Sequence, residues 1–259
     1  MSETVRAWME ITFNIAYLIT VWGLVIAMLR RQPTLPPERR PLTQHFIAAF
    51  ALLALGDTGH VGFRALAYLR GDLSTSIELF GISFGLVGLG ALSTAITVTF
   101  FYVVMLAIWH RRFEKAYGWF GGLLFAAALV RLVIMLFPQN QWNRVVPPQP
   151  WGIYRNLPLM VQGFGVAYLI LRDAIAARDR VFIWVGIMIL VSYGFYLPVI
   201  LFVQQVPLLG MLMIPKTLAY VVIAVLAYKN LFQESEQPTA ATHRITGGHS
   251  SQMHTDKHG

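Results

Sequence analysis

The amino-acid sequence predicts an all-α integral membrane protein built as a bundle of seven transmembrane helices. Hydrophobic residues make up 56% of the 259 residues and charged residues only 12%, whereas soluble domains usually carry about 25% charged residues. Seven apolar stretches are long enough, or nearly so, to cross the hydrocarbon core of a bilayer, which is about 30 Å thick. A chain with so little polar surface is not expected to fold as a soluble globule.

The predicted helices follow one another along a single membrane domain, residues 1–231. They are placed at 8–29, 44–69, 80–109, 117–137, 156–171, 181–203 and 207–230. The first helix is expected to be retained, because no basic region precedes it and no small-residue cleavage site follows it. The third is longer than a straight crossing needs, and the fifth is short unless it begins near Trp151. The polar segment 232–259 is expected to be a disordered cytoplasmic tail.

Basic residues predict the orientation of the bundle. The first, third and fifth connections carry most of them, and the opposite side carries few. By the positive-inside rule, the N-terminus is expected outside and the C-terminus in the cytoplasm, in a bacterial-type plasma membrane. The net charge of +8 is then an orientation signal and a contact with anionic lipid, so no nucleic-acid partner is expected. The basic residues on the cytoplasmic side are Arg30, Arg31, Arg39, Arg40, Arg111, Arg112, Lys115, Arg172, Arg178, Arg180 and Lys229. Those on the outer side are Arg6, Arg70, Arg144 and Arg155.

Small residues are concentrated in the second and third helices. Gly56, Gly59 and Gly62 recur along the second helix, and such positions allow the backbone of a neighbouring helix to approach closely. The third helix is predicted to pack closely at the centre of the bundle. Its small residues are Gly81, Gly85, Gly88, Gly90, Ser93, Thr94, Thr97 and Thr99.

Ionisable residues inside the spans are the most informative part of the sequence. A charge at the centre of a membrane helix costs roughly 2.5–3.5 kcal/mol on insertion scales. Asp57, His60 and Arg64 are three and four residues apart on the second helix, so they share one helical face. Lys216 lies inside the seventh helix beside Pro215, a residue type that tends to kink helices.

Further polar residues lie at similar depth on other helices. When the helices alternate in direction, all of these residues fall in the outer half of the membrane. We therefore predict one shared ligand-binding cavity open to the outside; the alternative is two or three separate ion pairs that only fix helix packing. The predicted ligand-binding residues are Asp57, His60, Arg64, Arg131, Gln162, Tyr193, Lys216, Glu10 and Asn14, although Arg131 and Glu10 also lie near enough to the surface for an interfacial position.

Charge pairing within this cavity predicts the chemistry of its ligand. Asp57 and Lys216 are the expected ion pair, and Arg64 is the alternative partner for Asp57. Cations outnumber carboxylates in the set, which favours an anionic group such as a carboxylate or a lipid phosphate. The first hypothesis is therefore a transporter or sensor that binds a small anionic or lipid-like molecule, with proton uptake coupled to binding. It requires no cofactor.

Two other hypotheses use the same residues differently. In an intramembrane enzyme acting on a lipid-like substrate, Asp57 and His60 would be the catalytic acid and base, and Arg64 or Lys216 would hold an oxyanion. No metal is expected, because a zinc site needs about three protein ligands and only His60 lies deep in a span. In a structural subunit, the charges would bind a second copy or another membrane protein.

The number of helices and the lysine in the last helix resemble the microbial rhodopsins. The segment FYLP at 195–198 is similar to the tyrosine–proline pair of that family's sixth helix. The resemblance implies retinal bound to Lys216 as a Schiff base. The sequence departs from the family in three places: the third helix has no carboxylate, Leu212 replaces the acid one turn before the lysine, and Lys216 is nearer the outer end of its helix than that family's lysine. Asp57 would then have to serve as the counterion.

Overall fold

The computed structural model describes residues 3–79, 81–145 and 148–233. Within these ranges, seven helices are long and apolar enough to cross a membrane. The predicted all-α, multi-pass membrane bundle is therefore confirmed. Large apolar side chains such as Ile19, Leu129 and Trp184 are exposed on its surface, as expected for contact with lipid. The tail predicted from residue 232 lies outside the described residues from 234 onward.

Every predicted span corresponds to one observed helix. Short 3-10 segments lie at Gln32–Thr34, Pro138–Asn140 and Pro207–Leu212, and a π-helical turn covers Tyr228–Gln233. The seventh span therefore begins with a 3-10 segment and ends with a π-helical turn. The helices are α1 Glu3–Arg31, α2 Arg40–Leu69, α3 Leu86–Phe113, α4 Gly118–Met135, α5 Gln149–Ala176, α6 Arg180–Phe202 and α7 Met213–Ala227.

The start of the third span differs from the prediction. Two short antiparallel strands, β1 Ser76–Leu79 and β2 Ile82–Gly85, form a hairpin before α3. Gly81 lies in its turn with φ of +74°, a conformation that glycine adopts without steric cost. Polar and apolar residues alternate through β1, which is the period of a strand. Gly81 and Gly85 therefore belong to the hairpin and not to a transmembrane helix.

The fifth helix begins earlier than residue 156. It starts at Gln149 and contains Pro158, so the extension toward Trp151 that the short predicted span required is present. The extra turns bring Arg155 and Asn156 into the helix. Both side chains then face the interior of the bundle, where they line a cavity.

Glycines bring α2 and α3 into close contact. A Cβ atom added at Gly56 would overlap Thr97 Oγ1, and one added at Gly90 would lie 3.0 Å from the Cα and the carbonyl oxygen of His60. Thr94 Oγ1 donates a hydrogen bond to the Gly56 carbonyl at 3.1 Å. Gly62, in contrast, has no atom within 4 Å of its added Cβ. The close packing predicted for these helices is therefore confirmed at Gly56 and Gly90.

Aromatic side chains fill the core on the side of the bundle where α3 ends. Phe46, Phe101 and Phe182 are fully buried there. Trp109 donates its indole N–H to Asp173 Oδ2 at 2.8 Å, and Arg112 forms an ion pair with Asp179. These contacts tie α3 to α5 and to the start of α6, so this end of the bundle is closely packed.

The glycine contact between α2 and α3 predicts the effect of a methyl group. Gly56→Ala should lower the free energy of unfolding by about 1–3 kcal/mol, because the added Cβ overlaps Thr97 in a packed interface. Gly62→Ala, on the same helix, should leave stability unchanged or slightly raise it, since alanine favours helix. Unfolding of the purified protein in detergent measures both. Equal stabilities for the two variants would contradict the assigned interface.

Candidate functional site

Two adjoining cavities lie between the helices. The first, here called the cationic compartment, has a volume of about 200 Å³, and residues of α2 to α7 line it. The second, here called the side compartment, has a volume of about 470 Å³ and lies between α1, α2, α6, the 3-10 segment 207–212 and α7. Five residues line both and form the shared wall: Asp57, His60, Tyr196, Met213 and Thr217.

Arg131 enters the cationic compartment from α4 and is only 2% exposed. Its Nε donates to the Arg155 carbonyl at 2.9 Å, and its Nη1 donates to the Ala95 carbonyl at 2.9 Å and to Thr99 Oγ1 at 2.6 Å. A guanidinium group has five N–H donors, so the two on Nη2 are without an acceptor among the described residues. Arg131 therefore links α3, α4 and α5, and it retains two donors.

Arg155 is the second cation of this compartment. Its guanidinium carbon lies 4.6 Å from the centroid of the Trp142 ring. Trp142 is held in turn by a hydrogen bond from its indole N–H to the Met135 carbonyl at 3.0 Å. The Nη1 atom of Arg155 is buried and has no hydrogen-bond partner. A buried charged donor without a partner is costly, so an acceptor in the cavity would be strongly stabilised.

Lys216 enters the cationic compartment from α7. Its Nζ lies 4.6 Å from the centroid of the Tyr196 ring and 5.6 Å from that of Tyr220, so two aromatic faces hold the ammonium group. Within the described part of the chain, no carboxylate oxygen lies within 4.0 Å of Nζ. Tyrosine rings thus replace the expected carboxylate as its direct contacts.

Asp57 has a different direct partner from the one expected. Its Oδ2 accepts a hydrogen bond from the Tyr17 hydroxyl at 2.7 Å. Asp57 and Lys216 line the same compartment, but no ion pair joins them among the described residues. The Tyr17 hydroxyl is the direct partner of Asp57 in place of the expected lysine.

The other predicted site residues divide between the two compartments. His60 lies in the shared wall beside Asp57, so the two candidate catalytic groups are neighbours there. Tyr193 lines the cationic compartment, and its hydroxyl donates to the Leu159 carbonyl at 2.9 Å. Arg64 and Asn14 line the side compartment only.

Of the remaining predicted residues, Gln162 does not reach the cavities and Glu10 is not described. Gln162 is buried, and its Nε2 donates to the Thr99 carbonyl at 3.3 Å, but it lines neither compartment. The side chain of Glu10 lies outside the described residues, so only its place in the backbone of α1 is known. In residues 3–79, 81–145 and 148–233, no three His, Asp or Glu side chains form a group that could hold a metal ion.

Arg155 and Tyr17 are the site residues that the sequence did not reveal. Arg155 preceded the predicted fifth span and was counted with the outer connection, whereas the helix begins at Gln149. The short length of that predicted span was the only sign in the sequence that the helix begins earlier and includes Arg155. Tyr17 lies in an apolar helix, and a tyrosine at such a position does not indicate its partner. With Arg155 included, three cations and one carboxylate line the cationic compartment.

No family model, no curated protein and no solved structure matches the chain. The resemblance to microbial rhodopsins therefore rests on the sequence features alone.

The contact between Tyr17 and Asp57 predicts a loss of stability when the hydroxyl is removed. Tyr17→Phe should lower the free energy of unfolding by about 1–3 kcal/mol, because Oδ2 of Asp57 loses its hydrogen-bond donor inside the bundle. Tyr68→Phe is the control, since Tyr68 is 58% exposed and should tolerate the change. Unfolding in detergent measures both variants. A Tyr17→Phe protein as stable as the parent would show that this bond does not hold α1 to α2.

Proposed function

We propose that this membrane protein binds a small anionic molecule in the cationic compartment and acts as a transporter or sensor for it. The observation that carries the proposal is the buried, unpartnered Nη1 of Arg155 beside Arg131, which keeps two donors free. Guanidinium groups match the planar, bidentate geometry of carboxylate and phosphate. Lys216 adds a third positive charge, and Asp57 is the single carboxylate facing all three.

Asp57 and His60 connect the proposed ligand to protons. Both lie in the wall of the cationic compartment, and protonation of either one raises its positive charge. An anion binds more tightly to a more positive cavity, and by linkage a bound anion favours proton uptake. We therefore propose that the anion and a proton are taken up together, as is typical of ionisable groups inside membrane proteins.

This proposal does not extend to retinal on Lys216. A protonated Schiff base is a cation and needs a carboxylate counterion. In this cavity it would lie with Arg131 and Arg155, and Asp57, the one carboxylate, already accepts a hydrogen bond from Tyr17. The same surplus of positive charge that favours an anion disfavours this alternative.

Removal of one cavity arginine should abolish most of the anion affinity. Arg155→Gln should weaken binding of acetate or inorganic phosphate by at least about 30-fold, because a buried charge-assisted pair is broken. Arg144→Gln is the control; it removes the same charge from an exposed side chain of the connection between α4 and α5. Ligand-dependent thermal stabilisation in a non-ionic detergent measures the affinities.

Two outcomes of that experiment would contradict the proposal. The first is equal loss of affinity in Arg155→Gln and Arg144→Gln, which would indicate a general effect of net charge. The second is a parent protein that neither anion stabilises. If the parent protein does bind the anion, an uptake assay in proteoliposomes distinguishes a transporter from a sensor. A transporter should take up the anion faster as the external pH is lowered.

We further propose that the N-terminus lies outside a bacterial-type plasma membrane, so that the connection between α4 and α5 faces outward. The chain contains no cysteine, so single cysteines report sidedness directly. In intact bacterial cells, a membrane-impermeant maleimide should label Asn143→Cys. It should label Ala177→Cys only after the membrane is permeabilised. The reverse pattern would overturn the orientation.

A further inference from the structure

The side compartment is chemically different from the cationic compartment beside it. Arg131, Arg155 and Lys216 line the cationic compartment and not the side compartment. The side compartment is the larger, at about 470 Å³ against about 200 Å³. Its single arginine is Arg64, whose side chain is exposed on α2, and its polar lining also includes Asn14 and Tyr17.

Apolar side chains from four elements line the side compartment. Phe13 comes from α1, Val199 from α6, Val203 from the residue after α6, Met211 from the 3-10 segment 207–212, and Ile214 from α7. Val206 and Leu208, which flank the lining residue Pro207 in the chain, are 48% and 65% exposed. Such a surface favours an alkyl chain over water.

The two compartments share a wall formed by Asp57, His60, Tyr196, Met213 and Thr217. A ligand that spans this wall meets cations at one end and apolar side chains at the other. Charge complementarity favours the negative end of such a ligand in the cationic compartment, because three of the four Lys and Arg side chains that line the two cavities lie there. A wholly polar anion would leave the apolar side chains of the side compartment without a matching group.

We propose that the ligand is an anionic amphiphile whose carboxylate or phosphate lies in the cationic compartment and whose alkyl chain lies in the side compartment. This inference rests on the proposed anion binding and names the class of molecule bound. Alkyl carboxylates and alkyl phosphates share the chemistry that the two compartments recognise, and they differ only in the head group.

A chain-length series tests the side compartment separately from the cationic one. Acetate, butanoate, hexanoate and octanoate should bind the detergent-solubilised protein with affinity rising about fourfold per added methylene. The rise should stop when the compartment is full. Octyl phosphate tests the alternative head group. Octyltrimethylammonium, with the same chain and opposite charge, should bind at least tenfold more weakly than octanoate.

Two variants that fill the side compartment provide the decisive comparison. Ile214→Trp and Val203→Trp each place an indole in this compartment and leave the residues of the cationic compartment unchanged. Acetate should bind as it does to the parent, which also shows that the variant is folded, while octanoate should lose its advantage over acetate. Leu129→Trp, at a position 64% exposed on α4, is the matched control and should retain the chain-length dependence.

The outcomes separate this inference from the proposed function. Equal affinity for acetate and octanoate in the parent overturns the alkyl-chain site and leaves anion binding intact. A chain-length dependence that persists in both filled variants also overturns it, because the chain then binds elsewhere. If neither carboxylates nor octyl phosphate bind at all, the proposed function fails and this inference fails with it.

Discussion

The cost of burying positive charge governs the interior of this bundle. Arg131 and Arg155 lie where water cannot solvate them fully, and neither forms an ion pair with a carboxylate of the described residues. Backbone carbonyls of α3 and α5 satisfy part of Arg131, and the Trp142 ring covers one face of Arg155. These contacts compensate the charges only partly, because carbonyls and rings carry no full negative charge. The remaining deficit is the physical basis of the proposed preference for an anion.

Helix packing determines where the titratable groups Asp57 and His60 lie relative to these cations. The close contact of α2 with α3, permitted by Gly56 and Gly90, brings Asp57 and His60 to the wall of the cationic compartment. The Tyr17 hydroxyl holds α1 against Asp57, and residues of α1 line one side of the side compartment. A change in the protonation of Asp57 would alter that bond and the charge of the cavity together.

Prolines lie in α5, α6 and α7, three of the helices that line the cationic compartment. Pro158 lies inside α5 and Pro198 inside α6, and Pro215 lies in the first turn of α7. Inside a helix, a proline removes one backbone hydrogen bond and bends the helix. Irregular helices of this kind are tolerated in membranes where they line an internal cavity. All three helices contribute lining residues to the cationic compartment.

The sequence by itself determined the seven helices, the membrane class and the depth at which polar residues gather, because hydropathy and helical period are local properties of the chain. It predicted that Asp57, His60, Arg131 and Lys216 lie around one shared cavity. These four side chains all line the cationic compartment. Only the tertiary structure decided which groups touch. The Tyr17 hydroxyl donates a hydrogen bond to Asp57, and the rings of Tyr196 and Tyr220 contact the Lys216 ammonium group. Such contacts depend on how each helix is rotated and tilted against its neighbours, which the sequence of one helix does not encode. The contact of the Arg155 guanidinium with the Trp142 ring is likewise seen only in the folded chain.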